Sequence, residues 1–176
     1  MRFLPALLLL SAAALGDVRD CTCDLLSAES MAQRTCGLCR EAEKQPPDTP
    51  VFFLKDISPT KPNRWLALPR AHTHEFADLT AAQRLALWSG AIAKARELWG
   101  DQWAVAANAD SRRSQCHLHV HIGKLLDGAE NDSFVVISDP ADIPVPHEDG
   151  GIWIHPVDGK LHVHLGEEAP ETLLMR

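Results

Sequence analysis

The chain has 176 residues, five cysteines and a formal charge of -7. It is long enough for one domain with a buried core. The acidic balance and the lack of a basic block argue against a nucleic acid polymer as partner, but a few local cations would suffice for a small phosphorylated ligand.

Residues 1–16 carry Arg2, an apolar run from Phe3 to Leu10 and small residues from Ser11 to Gly16. This pattern predicts a secretory signal, and hence an exported protein, periplasmic or secreted, with a mature chain of about 160 residues. Residues 17–34 read as an irregular arm bearing Cys21 and Cys23. Ser30 with Gln33 predicts a capping box opening a helix through Cys36 and Cys39 to about Gln45, where Pro46 and Pro47 end it. In an oxidising compartment disulfides are the default for these cysteines, yet C-x-C followed by C-x-x-C is also metal-ligand spacing. Both uses remain open on spacing alone, and the odd count leaves one thiol over.

Val51 to Ile57 and Arg64 to Leu68 read as antiparallel strands joined through Pro59 and Pro62. A loop with His72 and His74 follows. Thr80 with Gln83 predicts a second capping box, and Leu85, Trp88, Ile92 and Ala95 recur at helical spacing up to Gly100. Gln102 to Ala107 returns as a strand, and Asn108 to Ser114 is a polar loop.

The next stretch, Gln115 to Ile122, holds His117, His119 and His121 at two-residue spacing with Leu118, Val120 and Ile122 between or after them. In an extended strand all three imidazoles share one face and the apolar residues the other. Asn108, Ser111, Ser114 and Gln115 offer hydrogen bonds nearby. Arg112 and Arg113 add charge for a phosphate, unless they form only a solvated loop tip. An imidazole beside such a loop can attack phosphorus, with His119 as nucleophile and His121 as proton donor to the leaving oxygen. Cys116 falls on the opposite face and reads as a buried structural thiol.

Ser133 to Ile137 reads as a strand. Ile152 to Pro156 and Lys160 to Leu165 form a hairpin around Asp158-Gly159. That turn sets His155 opposite His162 and Trp153 opposite His164, gathering three imidazoles on one side. The leading expectation for them is the solvated polar face of an edge hairpin, and the alternative is a second metal site or a wall of the substrate cleft.

The run His117-Leu118-His119-Val120-His121-Ile122 resembles the signature of the histidine triad family. So do, in order, Cys36-x-x-Cys39, the segment Phe52 to Ile57, Leu66 to His72, the long helix and Asn108. Within the family the likeness is nearest to CDP-diacylglycerol pyrophosphatase-like proteins. The resemblance implies an α+β fold of histidine triad type: a mostly antiparallel sheet, an N-terminal helix and one long helix, here with a C-terminal β-hairpin. It implies a catalytic domain at 35–138, with 139–176 as an extension. It implies that His119 is the nucleophile, that His121 serves the leaving group, and that Asn108 and Gln115 bind substrate phosphate, to which the polar loop itself adds Ser114 as a candidate. It also implies a structural zinc on Cys36, Cys39, His72 and His117, with His74 a lesser candidate for the place of His72. The expected substrate is a nucleotide conjugate or nucleotide-lipid, with contact to a membrane surface if lipid, and a homodimer is one assembly the family allows. The competing expectation is a non-catalytic periplasmic metal-binding protein on the same scaffold.

Overall fold

The computed structural model describes Glu29, residues 36–147 and residues 150–176. The expected signal, Cys21, Cys23 and the Ser30–Gln33 capping box lie outside the described residues. The order is α1 (Gly37–Glu43), β1 (Val51–Lys55), β2 (Trp65–Pro69), α2 (Ala81–Trp99), β3 (Trp103–Ala107), β4 (Val120–Lys124), β5 (Val135–Ile137), β6 (Ile152–Val157) and β7 (Lys160–Leu165). The strands form one seven-stranded sheet in the order β1-β2-β4-β3-β6-β7-β5, with every pairing antiparallel. The fold is therefore α+β with an antiparallel sheet and one long helix.

The long helix begins where expected. Thr80 accepts from the Gln83 backbone N–H, and the Gln83 side chain reaches back to the Thr80 N–H. Its Leu87, Trp88, Ala91, Ile92 and Ala95 pack on Val105, Val120, Ile122, Ile154 and Val163 and form the main core. Alternation sends the other residues of those strands to the opposite face. There Ala104 and Ala106 of β3, too small to fill the space, leave room for Trp153 and Leu174.

Residues 139–176, expected as an appended extension, supply β6, which pairs with β3 inside the sheet. The sheet is thus continuous across that boundary. The hairpin register is as expected, with His155 opposite His162 and Trp153 opposite His164. Asp158 (φ 49°) and Gly159 (φ 75°) take the left-handed conformations of a tight two-residue turn. The expectation of a solvated edge hairpin is corrected: β7 is covered by β5, and His155 and His164 are 4% and 1% exposed. Periodicity assigns residues to a face but does not say what covers that face.

Candidate active site and metal cluster

The triad segment is less regular than its spacing suggests. β4 starts at Val120, so His117 and His119 precede the sheet and only His121 lies within it. Pairing with β2 stops at Ala67, and the backbone then turns to the 70–76 loop, where the Leu118 N–H bonds the Thr73 carbonyl at 2.9 Å. Alternation nevertheless survives. Leu118, Val120 and Ile122 enter the core under α2, while all three histidines are buried.

That detour brings His72 against His117, their rings 5.2 Å apart and nearly perpendicular. Ligand atoms of Cys39, His72 and His117 lie within 4.8 Å of one another, so these residues can hold a metal ion. Cys36 is not in that mutually close set, but it touches Cys39. Its thiol is lowered to about 5, first by the hydrogen bond from the Cys39 side chain acting against burial, then by backbone N–H groups of His117, Cys39 and Cys116. His117 donates from Nε2 to the Pro69 carbonyl at 2.8 Å, and its buried Nδ1 has no hydrogen-bond partner among the described residues. A lone pair held on an orphaned buried nitrogen beside a thiolate fits a metal donor set. His74, the lesser candidate, is outside the cluster and offers its carbonyl to Arg113. Cys36 and Cys39 are not in a disulfide, whereas Cys116 is half-buried and disulfide-bonded. The expectation of a buried free thiol at Cys116 is corrected accordingly.

His119 and His121 line a cleft of about 830 Å³ between α1, the 55–61 loop, the 108–115 loop and Glu171. His119 donates from Nδ1 to the His117 carbonyl at 2.8 Å, which leaves the lone pair on Nε2. Burial pushes its pKa down to about 4, so the ring is neutral at pH 7. His121 stands edge-on to it, centroids 4.9 Å apart, and burial holds its pKa well below 6.5. Its Nε2 is 3.6 Å from Glu171 Oε2.

Glu171 is the residue that sequence reasoning missed. A short 3-10 turn, Pro170–Leu173, carries it into the cleft, where it meets Lys61 at 2.6 Å and the buried Arg64 at 3.1 Å. Burial pushes its carboxyl up, but His121 and Lys61 outweigh burial and hold it at about 2. Asn108 also belongs here: its Oδ1 accepts from the Glu171 N–H at 3.1 Å. Ser114 sits exposed on the cleft wall. Gln115 lines the cleft too, but its Oε1 is already used as an external cap, accepting from the Gly37 N–H at 2.7 Å and the Leu38 N–H at 3.4 Å. Its amide nitrogen donates to the Ser114 carbonyl at 3.2 Å, which leaves one N–H for a substrate oxygen. Of the two arginines, Arg113 is buried and pairs with Asp110, whereas Arg112 pairs with Glu168 in solvent and keeps the character of a solvated loop tip.

No protein-family model matches this chain, and no curated protein matches it. The functional reading accordingly rests on the site.

These ionisations carry a pH expectation. Between pH 6.5 and about 4 the unfolded chain takes up protons that folded His119 refuses, so that stability is complete above 6.5 and is lost as pH falls toward 4. His121 acts in the same direction, and Glu171 adds its own loss between 4.5 and about 2. Urea midpoints should therefore decline steadily below pH 6.5. A midpoint unchanged from pH 7 to 4.5 would show that these groups do not titrate as buried neutral imidazoles.

Proposed function

We propose that the chain is an exported histidine-triad-like hydrolase that splits a nucleotide-linked pyrophosphate, CDP-diacylglycerol or another nucleotide conjugate, through a nucleotidyl intermediate on His119. The observation that carries this reading is the orientation of His119: Nδ1 is tied to the backbone, and Nε2 is a neutral lone pair on the cleft wall. Attack by Nε2 on the nucleoside-bearing phosphorus forms a P–N bond and breaks the bond to the bridging oxygen. Water then attacks the same phosphorus, breaks the P–N bond and releases a nucleoside monophosphate.

The surroundings suit a diphosphate. Lys55, Lys61, Arg112 and Arg113 line the cleft, and Leu38, Leu54 and Leu66 offer an apolar wall to a base. Ile57, 98% exposed beside them, suits contact with a lipid or membrane surface. His121 is neutral in the free protein, and an entering diphosphate would raise its pKa, as any nearby anion does, toward a value at which it can give a proton to the leaving oxygen. Zinc on Cys39, His72 and His117, with Cys36 as the fourth donor, would form a closed structural site tying α1 and the 70–76 loop to the triad.

Two measurements test this. Purified wild type is expected to release nucleoside monophosphate from at least one of a panel of CDP-diacylglycerol micelles and soluble nucleotide conjugates. No release from any of them leaves the non-catalytic metal-binding alternative as the better account. The Cys39→Ser variant should lose about one equivalent of zinc by elemental analysis, and undiminished zinc would remove Cys39 from the ligand set.

A further inference from the structure

On the far side of the sheet from α2, the row Leu66, His121, Ala106, Trp153, His164 crosses five strands in register. His164 lies three strand spacings from His121, about 14 Å, well clear of the reacting atoms. We propose that His155, His164 and Glu130 form a second site for a zinc-like divalent transition metal.

The spacing of the three donors carries the argument. His155 Nε2 is 3.4 Å from His164 Nε2 and 3.5 Å from Glu130 Oε1, and all three donors lie within 4.8 Å of one another. Two ligands bound tetrahedrally at 2.0–2.1 Å stand about 3.4 Å apart. A hydrogen bond between the two imidazoles would close to roughly 2.7–3.2 Å, so direct bonding explains the approach less well than a shared ion.

Neighbouring groups hold two of the three donors in place. His164 Nδ1 faces Asn131 Oδ1 at 3.3 Å, which directs its Nε2 lone pair inward, and Trp153 stacks on the ring at 3.6 Å between centroids. His162 bonds Glu130 Oε1 at 2.7 Å and is itself stacked on Phe134 at 4.1 Å, so it orients the carboxylate. Such outer contacts are what a ligating imidazole and carboxylate need. A shallow cleft of about 300 Å³ borders Glu130 and His155, and water can reach a fourth position from it. Two nitrogens and one oxygen select a borderline ion over calcium or magnesium, which prefer oxygen alone.

Cobalt(II) titration of the full chain separates this site from the cysteine cluster, because thiolate ligands produce a charge-transfer band and imidazole with carboxylate produces only weak d–d absorption. Wild type should take up an equivalent of cobalt that adds d–d absorption without a thiolate band. Glu130→Gln should weaken that equivalent by about tenfold or more, and His155→Asn should abolish it, with any thiolate band unchanged. Glu130 is partly exposed, so its variant should keep the wild-type melting curve even if His155→Asn does not. If wild type binds no cobalt beyond that bound by Glu130→Gln and His155→Asn, the site does not exist. Loss of the thiolate band alone would count against the cysteine cluster and leave this site standing.

Discussion

His119→Ala should lower nucleoside monophosphate release by about 10⁴-fold or more, because removal of a covalent nucleophile leaves only binding and charge stabilisation to act on substrate. The side chain faces the cleft and, among the described residues, makes one hydrogen bond, to the His117 carbonyl, so the variant should lose only about 1 kcal/mol of stability. That separation is what makes the test informative: activity collapses while the melt barely moves. In wild type, an alkaline quench during turnover should preserve a phosphorus-nitrogen adduct, visible by phosphorus NMR and missing from the variant. Activity within tenfold of wild type would place the nucleophile elsewhere, with water attacking directly as the first alternative.

How much of this was legible in the chain depends on the range of the interaction involved. The Thr80–Gln83 box and the Asp158-Gly159 turn are local chemistry, and α2 and the β6–β7 register follow from them. The division of faces around the triad was legible from two-residue alternation, since Leu118, Val120 and Ile122 do enter the core. The point where β4 begins was not, because it depends on the Leu118 N–H finding Thr73 rather than β2. Gln115 looked like a phosphate ligand from its place beside the triad, yet its oxygen caps a helix 78 residues earlier in the chain. Glu171 had no local mark at all. An acid in a polar tail reads as solvated until the fold lays that tail over Arg64 and Lys61.

Arg64 ought to show the largest loss of stability of any single polar change around the cleft. Its guanidinium is 1% exposed, pairs with Glu171 at 3.1 Å and donates to the Leu174 carbonyl at 2.9 Å. Arg64→Met removes the charge but keeps an unbranched apolar stem, and it takes the Arg64 donor from the Leu174 carbonyl and leaves Glu171 Oε2 with Lys61 as its cation. Breaking one half of a buried pair typically costs about 3–5 kcal/mol, and that is the expected loss by urea denaturation. Lys61→Met should cost only about 1 kcal/mol or less, since its ammonium is partly solvated even though its contact with Glu171 is shorter. Because Glu171 also bonds Asn108 through its backbone and lies beside His121, the Arg64 variant should lose turnover together with stability. Adding Glu171→Gln to Arg64→Met should recover part of the loss, as the remaining buried carboxylate is neutralised. A cost for Arg64→Met near that of Lys61→Met would mean that the tail is held by Leu174 packing on Ala104, Ala106 and Trp153, with the charge network contributing little. If the larger loss is found instead, the Arg64–Glu171 pair holds the final turn over the cleft, and in the proposed mechanism that places Glu171 where it sets the field around His121.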